Sequence, residues 1–260
     1  MIENLRILAS YRDLLWLWSL REVRVRYKQS FLGMAWAIVQ PLVLTLVFTV
    51  IFSRLIQVDT GNIPYPVFAY TALVPWTFFA TAIAFGIPSL VNNMNLVTKI
   101  YFPREILPLA SISAAFVDFG MAALVLVGLM IFYGFWPTVE SLWIFPLLLL
   151  QLSLTVGVTL IGAAIIVFQR DMRFVIPLLT QVWMYATPII YPVDLVPVKW
   201  QKFYFLNPMA GIVDGYRRAL LEGLPPRMEA IAIGTVVTAV LLITGYYGFK
   251  RAEPVFADLI

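Results

Sequence analysis

The chain has 260 residues, of which 62% are hydrophobic and 12% charged, whereas a soluble domain carries about 25% charged residues. It contains neither cysteine nor histidine, which disfavours disulfides, thiol chemistry and the commonest metal sites. The net charge of +4 is low for a nucleic-acid-binding protein and typical of the basic excess that orients membrane proteins. The composition therefore indicates a polytopic membrane protein with no nucleic-acid partner.

The N-terminal segment, residues 1–30, mixes leucine and tryptophan with basic residues. This mixture predicts an amphipathic helix in the cytoplasmic membrane interface, in contact with membrane lipids. The segment lacks the apolar core and cleavage site of a signal peptide, so we expect it to stay on the protein. Arg24, Arg26 and Lys28 lie at the mouth of the first span, where their cationic groups suit phosphate oxygens. Anchoring to anionic lipids explains the same three residues, and both interpretations stay open.

Long apolar stretches predict six membrane-spanning helices, because one crossing of the hydrocarbon core takes about 20 apolar residues. With six spans, twelve Lys and Arg residues fall on the side of the termini and six on the other, which predicts cytoplasmic termini. The predicted fold is an all-α polytopic membrane protein with six transmembrane helices. The six apolar stretches cover residues 32–54, 64–91, 106–133, 141–168, 174–191 and 229–249.

Residues 192–228, between spans five and six, carry apolar clusters that are too short to cross a membrane. They predict re-entrant external helices, which are tolerated only where protein or a water-filled cavity covers them. Residues 31–191 hold spans one to five, and residues 250–260 form a cytoplasmic tail. No internal repeat or flexible linker is visible, so the sequence predicts one domain over residues 1–260.

The loop between spans two and three combines aromatic and charged residues. Its apolar residues would form a knob on a short cytoplasmic helix that ends before Pro103. A knob with a polar rim is typical of a protein-docking surface, and burial in lipid headgroups explains the same aromatic residues equally well. A second cytoplasmic turn would dock the same partner or merely separate two spans. The candidate docking residues of the two loops are Val97, Lys99, Ile100, Tyr101, Phe102, Pro103, Arg104, Arg170 and Asp171.

ATP binding and ion coupling are two sources of energy that could drive transport by a membrane protein. The P-loop motif Gly-x-x-x-x-Gly-Lys-Ser/Thr, which cradles ATP phosphates, does not occur, so any ATP that drives this protein binds to another chain. Asp118 is the only ionisable residue well inside a predicted span. It would act as a proton relay, or it would pair with a polar group at a helix interface.

Aromatic residues of spans two and five predict a surface for sugars, whose apolar ring faces stack on aromatic rings. Core packing and the aromatic belts at the membrane surfaces explain most residues of this kind, and both interpretations stay open. The candidate channel-lining residues are Tyr65, Trp76, Phe79, Trp183, Tyr185 and Tyr191.

Several motifs resemble one family of membrane proteins, the permease subunits of type-2 ABC exporters for O-antigen, capsular polysaccharide and teichoic acid. The opening motif is Arg26-Tyr27-Lys28-Gln29-Ser30-Phe31-Leu32-Gly33-Met34-Ala35-Trp36, followed by Gln40-Pro41-Leu42. The resemblance runs the length of the chain. Further motifs in matching order are Lys99-Ile100-Tyr101-Phe102-Pro103-Arg104-Glu105, Gln169-Arg170-Asp171, Thr187-Pro188-Ile189-Ile190-Tyr191-Pro192, Asn207-Pro208 and Tyr216-Arg217-Arg218-Ala219-Leu220.

The resemblance implies a half-transporter in the bacterial inner membrane that is not itself an enzyme. Two copies of the chain would form a continuous channel, and two copies of a separate P-loop ATPase would bind ATP and Mg beneath it. This chain would then hold no cofactor. The cargo would be a lipid-pyrophosphate-linked glycan.

The resemblance also implies roles for particular residues. Residues 97–104 would be a coupling helix that fits a groove in the ATPase, with Arg170 and Asp171 as a second contact. The gate that meets the substrate headgroup would consist of Arg24, Arg26, Tyr27 and Lys28. A permease for teichoic acid, capsule, a small lipid or a drug is the nearer alternative, and an ATP-independent channel or a proton-coupled carrier is the more remote one.

Overall fold

The computed structural model describes residues 8–28 and 30–256. They form helices joined by short turns, with no strand among them, which confirms the predicted all-α fold for this part of the chain. The outermost residues of the predicted N-terminal helix and of the tail, 1–7 and 257–260, and Gln29 of the opening motif lie outside the described residues. The helices are α1 (Arg12–Tyr27), α2 (Gly33–Leu55), α3 (Tyr65–Gly86), α4 (Ser89–Asn92), α5 (Met94–Lys99), α6 (Ile106–Phe132), α7 (Val139–Phe168), α8 (Met172–Tyr185), α9 (Val198–Tyr204), α10 (Pro208–Arg217) and α11 (Met228–Ala252).

Five of these helices are long and apolar enough to cross a membrane, namely α2, α3, α6, α7 and α11. They match five of the six predicted spans to within a few residues at each end. Apolar segments become helical in lipid because the hydrocarbon offers no partner for backbone N–H and C=O groups.

The predicted fifth span, residues 174–191, corresponds to a shorter helix. α8 has 14 residues and ends at Tyr185, so it is about 21 Å long and falls short of the roughly 20 residues of one crossing. The chain then runs through a series of turns, residues 186–191, before the outer helices begin. By helix length alone, the described residues therefore contain five full-length spans and not the predicted six.

Arg217, at the end of α10, holds these turns in place. Its side chain is only 3% exposed, and its guanidinium lies 3.5 Å from the centre of the Phe68 ring. The guanidinium donates hydrogen bonds to the carbonyl oxygens of Phe68 (3.1 Å), Ile189 (2.5 Å) and Tyr191 (3.3 Å), and also of Pro188. Carbonyl groups beyond a helix end have no helical donor, and the guanidinium supplies one. Arg217 is one of the six basic residues that the sequence places on the side opposite the termini, but its side chain is buried.

α3 is the central helix of the chain. Most of its residues are buried, and it packs against α2, α6, α7 and α10. Gln151 of α7 is fully buried; its amide donates to the carbonyl of Pro75 at 2.7 Å and accepts from the hydroxyl of Tyr216 at 3.1 Å. This bridge joins α3, α7 and α10 through satisfied polar groups.

α7 and α11 approach each other closely at glycines. A Cβ atom added at Gly157 would lie 2.8 Å from the backbone nitrogen of Leu242, and one added at Gly245 would lie 2.5 Å from the carbonyl oxygen of Gly157. Small residues at the contact are typical of helices that pack inside a membrane. They fix the last span against the fourth long helix.

α1 runs beside the first half of α6. Leu14 and Leu15 pack against the cluster that contains Ile106 and Leu107 at the start of α6, and the far end of α1 reaches Asp118. The segment predicted as an interface helix is thus a helix that packs along a spanning helix. Its position in the membrane interface stays a prediction.

Candidate functional site

A polar cleft of about 220 Å³ lies between α1, α2, α3 and α6. We call it the midspan cleft, because Asp118 is the thirteenth residue of the 27-residue α6, about 18 Å from the start of that helix. Polar groups beside the middle of an apolar membrane-spanning helix are costly unless they are paired or face water. Its polar lining residues are Arg26, Tyr27, Ser30, Gln40, Thr77, Thr81 and Asp118.

Asp118 has two partners from α1. One carboxylate oxygen, Oδ2, accepts a hydrogen bond from Arg26 Nη1, and the other, Oδ1, accepts one from the Tyr27 hydroxyl. The side chains of Arg26 and Asp118 are only 10% and 15% exposed. The sequence offered a proton relay or a paired group for Asp118, and the structure provides a cationic partner that the predicted spans did not contain.

The surroundings of the pair complete its environment. The Arg26 guanidinium lies 4.3 Å from the centre of the Phe85 ring, a favourable cation–π distance. Its Nη2 atom is buried and makes no hydrogen bond within the described residues. Burial, together with the Asp118 carboxylate, raises the pKa of the Tyr27 hydroxyl above its ordinary value, so this group remains a proton donor.

The four predicted gate residues divide into two pairs. Arg26 and Tyr27 face the cleft and are engaged by Asp118. Arg24 and Lys28 are exposed on another face of α1, beside a shallow groove that also includes leucine side chains. Since Asp118 neutralises Arg26, the cationic groups open to a phosphate are Arg24 and Lys28.

The loop between α5 and α6 has buried anchors and an exposed tip. Val97 and Phe102 are 1% and 5% exposed and belong to an apolar cluster with Phe249 of α11. Ile100 and Tyr101 between them are 55% and 94% exposed. Val97 and Phe102 are therefore not part of an exposed apolar knob: they fix the loop, and Ile100 and Tyr101 form its exposed tip. Lys99 beside the tip is also exposed.

Pro103 is buried, and Arg104 forms hydrogen bonds to Glu253 of the same chain. The backbone N–H of Arg104 donates to Glu253 Oε1 at 2.9 Å, and its guanidinium donates to the Glu253 carbonyl. Lys250 Nζ lies 2.6 Å from Glu105 and 2.9 Å from Glu253. The base of the loop is thus fastened to the end of α11, and Arg104 is not a free charge on a docking rim.

Arg170 and Asp171 are exposed in the turn between α7 and α8. Phe168, just before this turn, has its ring 6.4 Å from that of Phe256, and Phe256 shares the cluster that anchors Phe102. Both predicted docking loops therefore lie at the same end of the helix bundle.

The aromatic residues predicted to line a channel are mostly structural. Tyr65 and Trp76 are each 4% exposed and Phe79 is 0% exposed, so these three lie in the core of the chain and not on a surface that could line a channel. Trp183 packs edge-on against Phe79 at 4.9 Å and donates to Asn207 Oδ1 at 2.7 Å.

Two members of that set keep some exposure. Tyr185 is 54% exposed, and the Tyr191 hydroxyl is 3.0 Å from that of Tyr204. Trp36 and Phe85, which were not in the predicted set, border the midspan cleft with exposures of 46% and 45%. Periodicity could not find them, because their role depends on how α1 packs between the spans.

The fold and the cleft define a multi-pass membrane protein with polar groups beside the middle of one long apolar helix. The family model of the ABC-2 type transporters matches residues 13–221, so the chain belongs to this family. This match confirms the family predicted from the motifs. Over the full length of both chains it is 30% identical to the O-antigen export system permease protein RfbA of Myxococcus xanthus. It is 28% identical to RfbA of Klebsiella pneumoniae over 95% of both chains, and 25% identical to the polysialic acid transport protein KpsM of Escherichia coli over about 90% of both.

Proposed function

We propose that this chain is the membrane-spanning subunit of an ATP-driven exporter of a lipid-linked polysaccharide. The observation that carries the proposal is the midspan cleft. Gln40 and Trp36 leave it open at the surface of the chain, beside the middle of the apolar helix α6, and a polar opening that faced lipid tails there would be costly. The polar groups of the cleft are hydrated if the cleft faces a water-filled channel formed with a second copy of the chain.

The cargo follows from the relatives and from the lining of the cleft. The relatives named above are permeases for O-antigen and a transport protein for polysialic acid. Amide and hydroxyl groups beside exposed aromatic rings suit the hydroxyls and apolar faces of sugars. A glycan on a lipid pyrophosphate, of O-antigen or related type, is the cargo that fits both.

The energy comes from a partner in this proposal. Two copies of a P-loop ATPase, with ATP and Mg, dock against the exposed tip formed by Ile100 and Tyr101, with Arg170 and Asp171 as a second contact. An aromatic anchor surrounded by polar residues is the usual composition of a binding hot spot. This chain itself catalyses no reaction.

The proposed arrangement in the membrane completes the topology. α8 and the turns that follow it make the fifth crossing of the bacterial inner membrane, and α9 and α10 are the external re-entrant helices. Both termini then lie in the cytoplasm. Arg24 and Lys28 meet the pyrophosphate of the arriving lipid, since both are exposed and cationic side chains attract phosphate groups.

The proton-coupled alternative has less support. Asp118 is paired with Arg26 and Tyr27, which is the pairing at a helix interface that the sequence offered as the other role of this carboxylate. The small-lipid and drug alternatives have less support, since polar side chains stand among the apolar ones that line the cleft and an apolar ligand would leave them unpaired.

The test is co-purification with the ATPase encoded beside this chain, followed by measurement of ATP hydrolysis and of glycan export in the same cells. We expect a stable complex whose export falls at least tenfold in Tyr101→Ala. Phe132→Ala is the matched control, because Phe132 is also exposed, at 80%, but lies at the opposite end of α6. Normal export by Tyr101→Ala, or the absence of any P-loop partner, would contradict the proposed function.

A further inference from the structure

The midspan cleft has the chemistry of a sugar-binding subsite, and we infer that it holds one uncharged sugar ring of the polymer during export. The inference rests on the proposed function, since it names the part of the cargo that this cleft contacts. Three properties of the cleft carry it, namely its charge, its free hydrogen-bonding groups and its size.

The charge of the cleft favours a neutral ligand. Arg26 and Asp118 neutralise each other through a direct hydrogen bond. The pair carries no net charge that would attract a carboxylate or an ammonium group, and the unbonded Nη2 of Arg26 is a donor that the oxygen of a sugar hydroxyl can satisfy. A charged sugar would bring a third charge into the cleft without a counter-charge, and an unpaired buried charge is strongly unfavourable.

The cleft also offers hydrogen-bonding groups that the chain does not use. The side chains of Ser30, Gln40 and Thr81 make no hydrogen bond within the described residues. The hydroxyl of Thr77 donates to the Val74 carbonyl at 3.1 Å and still has acceptor capacity. Amide and hydroxyl groups that lack partners are costly away from water, and the hydroxyls of a sugar would satisfy them.

The size and shape of the cleft limit the ligand to one ring. Its volume of about 220 Å³ is below the roughly 300–1,000 Å³ of pockets for drug-sized ligands. The half-exposed rings of Trp36 and Phe85 border it and give a sugar an apolar surface to lie against. A lipid chain of similar cross-section would leave the amide and hydroxyls unpaired, so it fits the same space poorly.

The experiment uses the full chain in lipid nanodiscs and two photoreactive probes, a diazirine-bearing neutral hexose oligomer and the matching oligouronate. Cross-linked peptides are identified by mass spectrometry. We expect the neutral probe to label residues 36–40 of α2 or 77–81 of α3, and excess unlabelled hexose oligomer to compete. Labelling by the oligouronate should be at least tenfold weaker.

The decisive variant is Gln40→Leu combined with Thr81→Val, which keeps the volume of both side chains and removes their polar groups. The loss of two hydrogen bonds should weaken labelling roughly tenfold. Thr235→Val is the matched control, because Thr235 is an exposed threonine on α11, away from the cleft. Trp36→Leu tests the aromatic contact independently of the polar groups and should also weaken labelling.

Each remaining outcome decides against the inference. Labelling elsewhere on the chain, equal labelling by the oligouronate, or unchanged labelling in both cleft variants would overturn it. A chain that exports glycan with its ATPase but shows any of these results loses the sugar subsite and keeps the proposed function. A chain with no ATPase partner and no export loses the proposed function, whatever the probes label.

Discussion

The pairing of Asp118 with Arg26 and Tyr27 predicts how α1 is held against α6. Asp118→Asn leaves the Arg26 guanidinium, whose side chain is 10% exposed, without its counter-charge. Removing one member of a buried ion pair costs about 3–5 kcal/mol, and the remaining exposure of the pair places the expected loss near the lower end. Arg26→Gln should cost a similar amount, because it strands the carboxylate. The double variant Arg26→Gln with Asp118→Asn removes both charges and should recover at least half of the loss.

The absence of cysteine from the sequence makes site-specific labelling the natural assay. Spin labels at Leu17→Cys on α1 and Leu124→Cys on α6 use positions that are 63% and 68% exposed, and their separation reports whether α1 stays docked. We expect a single narrow distance distribution in the parent chain and a broader, longer one in each single variant. The distribution of the double variant should return toward that of the parent.

Two results would refute this reasoning. If Asp118→Asn and Arg26→Gln both leave the distances unchanged, apolar packing alone holds α1 and the ion pair contributes nothing. If the double variant is as disordered as the sum of the single variants, the two side chains do not act on each other. Arg24→Gln serves as the control, because Arg24 is exposed on the same helix and has no contact with Asp118.

Two further predictions concern stability. Phe102→Ala should lower the free energy of unfolding by about 3–5 kcal/mol, as expected for a buried aromatic residue. Tyr101→Ala should change it by less than about 0.5 kcal/mol, because its side chain is on the surface. Denaturant titration in detergent measures both, and equal effects would contradict the assignment of Phe102 as anchor and Tyr101 as tip. Arg217→Met should lower the free energy of unfolding by roughly 3 kcal/mol or more, because several buried carbonyls lose their donor at once. Arg217→Lys should recover only part of this loss, since an ammonium group lacks the planar set of donors. Full recovery by lysine would show that charge alone matters.

The spans could be predicted from the sequence because hydrophobic length is a local property. One crossing needs a fixed number of apolar residues, and α2, α3, α6, α7 and α11 follow that rule. α8 did not: it ends before Pro188, and the carbonyl groups of Pro188 and Ile189 in the turns that follow are satisfied by Arg217, a residue about 30 positions later in the chain. A count of apolar residues cannot register a guanidinium that takes the place of a helical donor.

The candidate site was harder to predict because it combines distant segments. Arg26 and Asp118 are separated by 92 positions, and no local pattern links a basic residue before the first span to a carboxylate in the third. The family motif placed Arg26 and Tyr27 at a functional position without saying what they contact. The docking role of the loop between α5 and α6 stays a prediction. The sequence could not tell which of its apolar residues are buried, because the burial of Val97 and Phe102 depends on the cluster beneath them.

α1 connects the two regions on which the proposed function depends. Leu14 and Leu15 pack against the same cluster that holds Val97 and Phe102, and Arg26 at the other end is bound to Asp118 in the midspan cleft. A helix transmits displacement along its axis because its backbone hydrogen bonds keep it rigid. In the proposed exporter, a movement that the ATPase imposes on the loop therefore reaches the cleft through α1. Breaking the ion pair should then lower export while ATP hydrolysis continues.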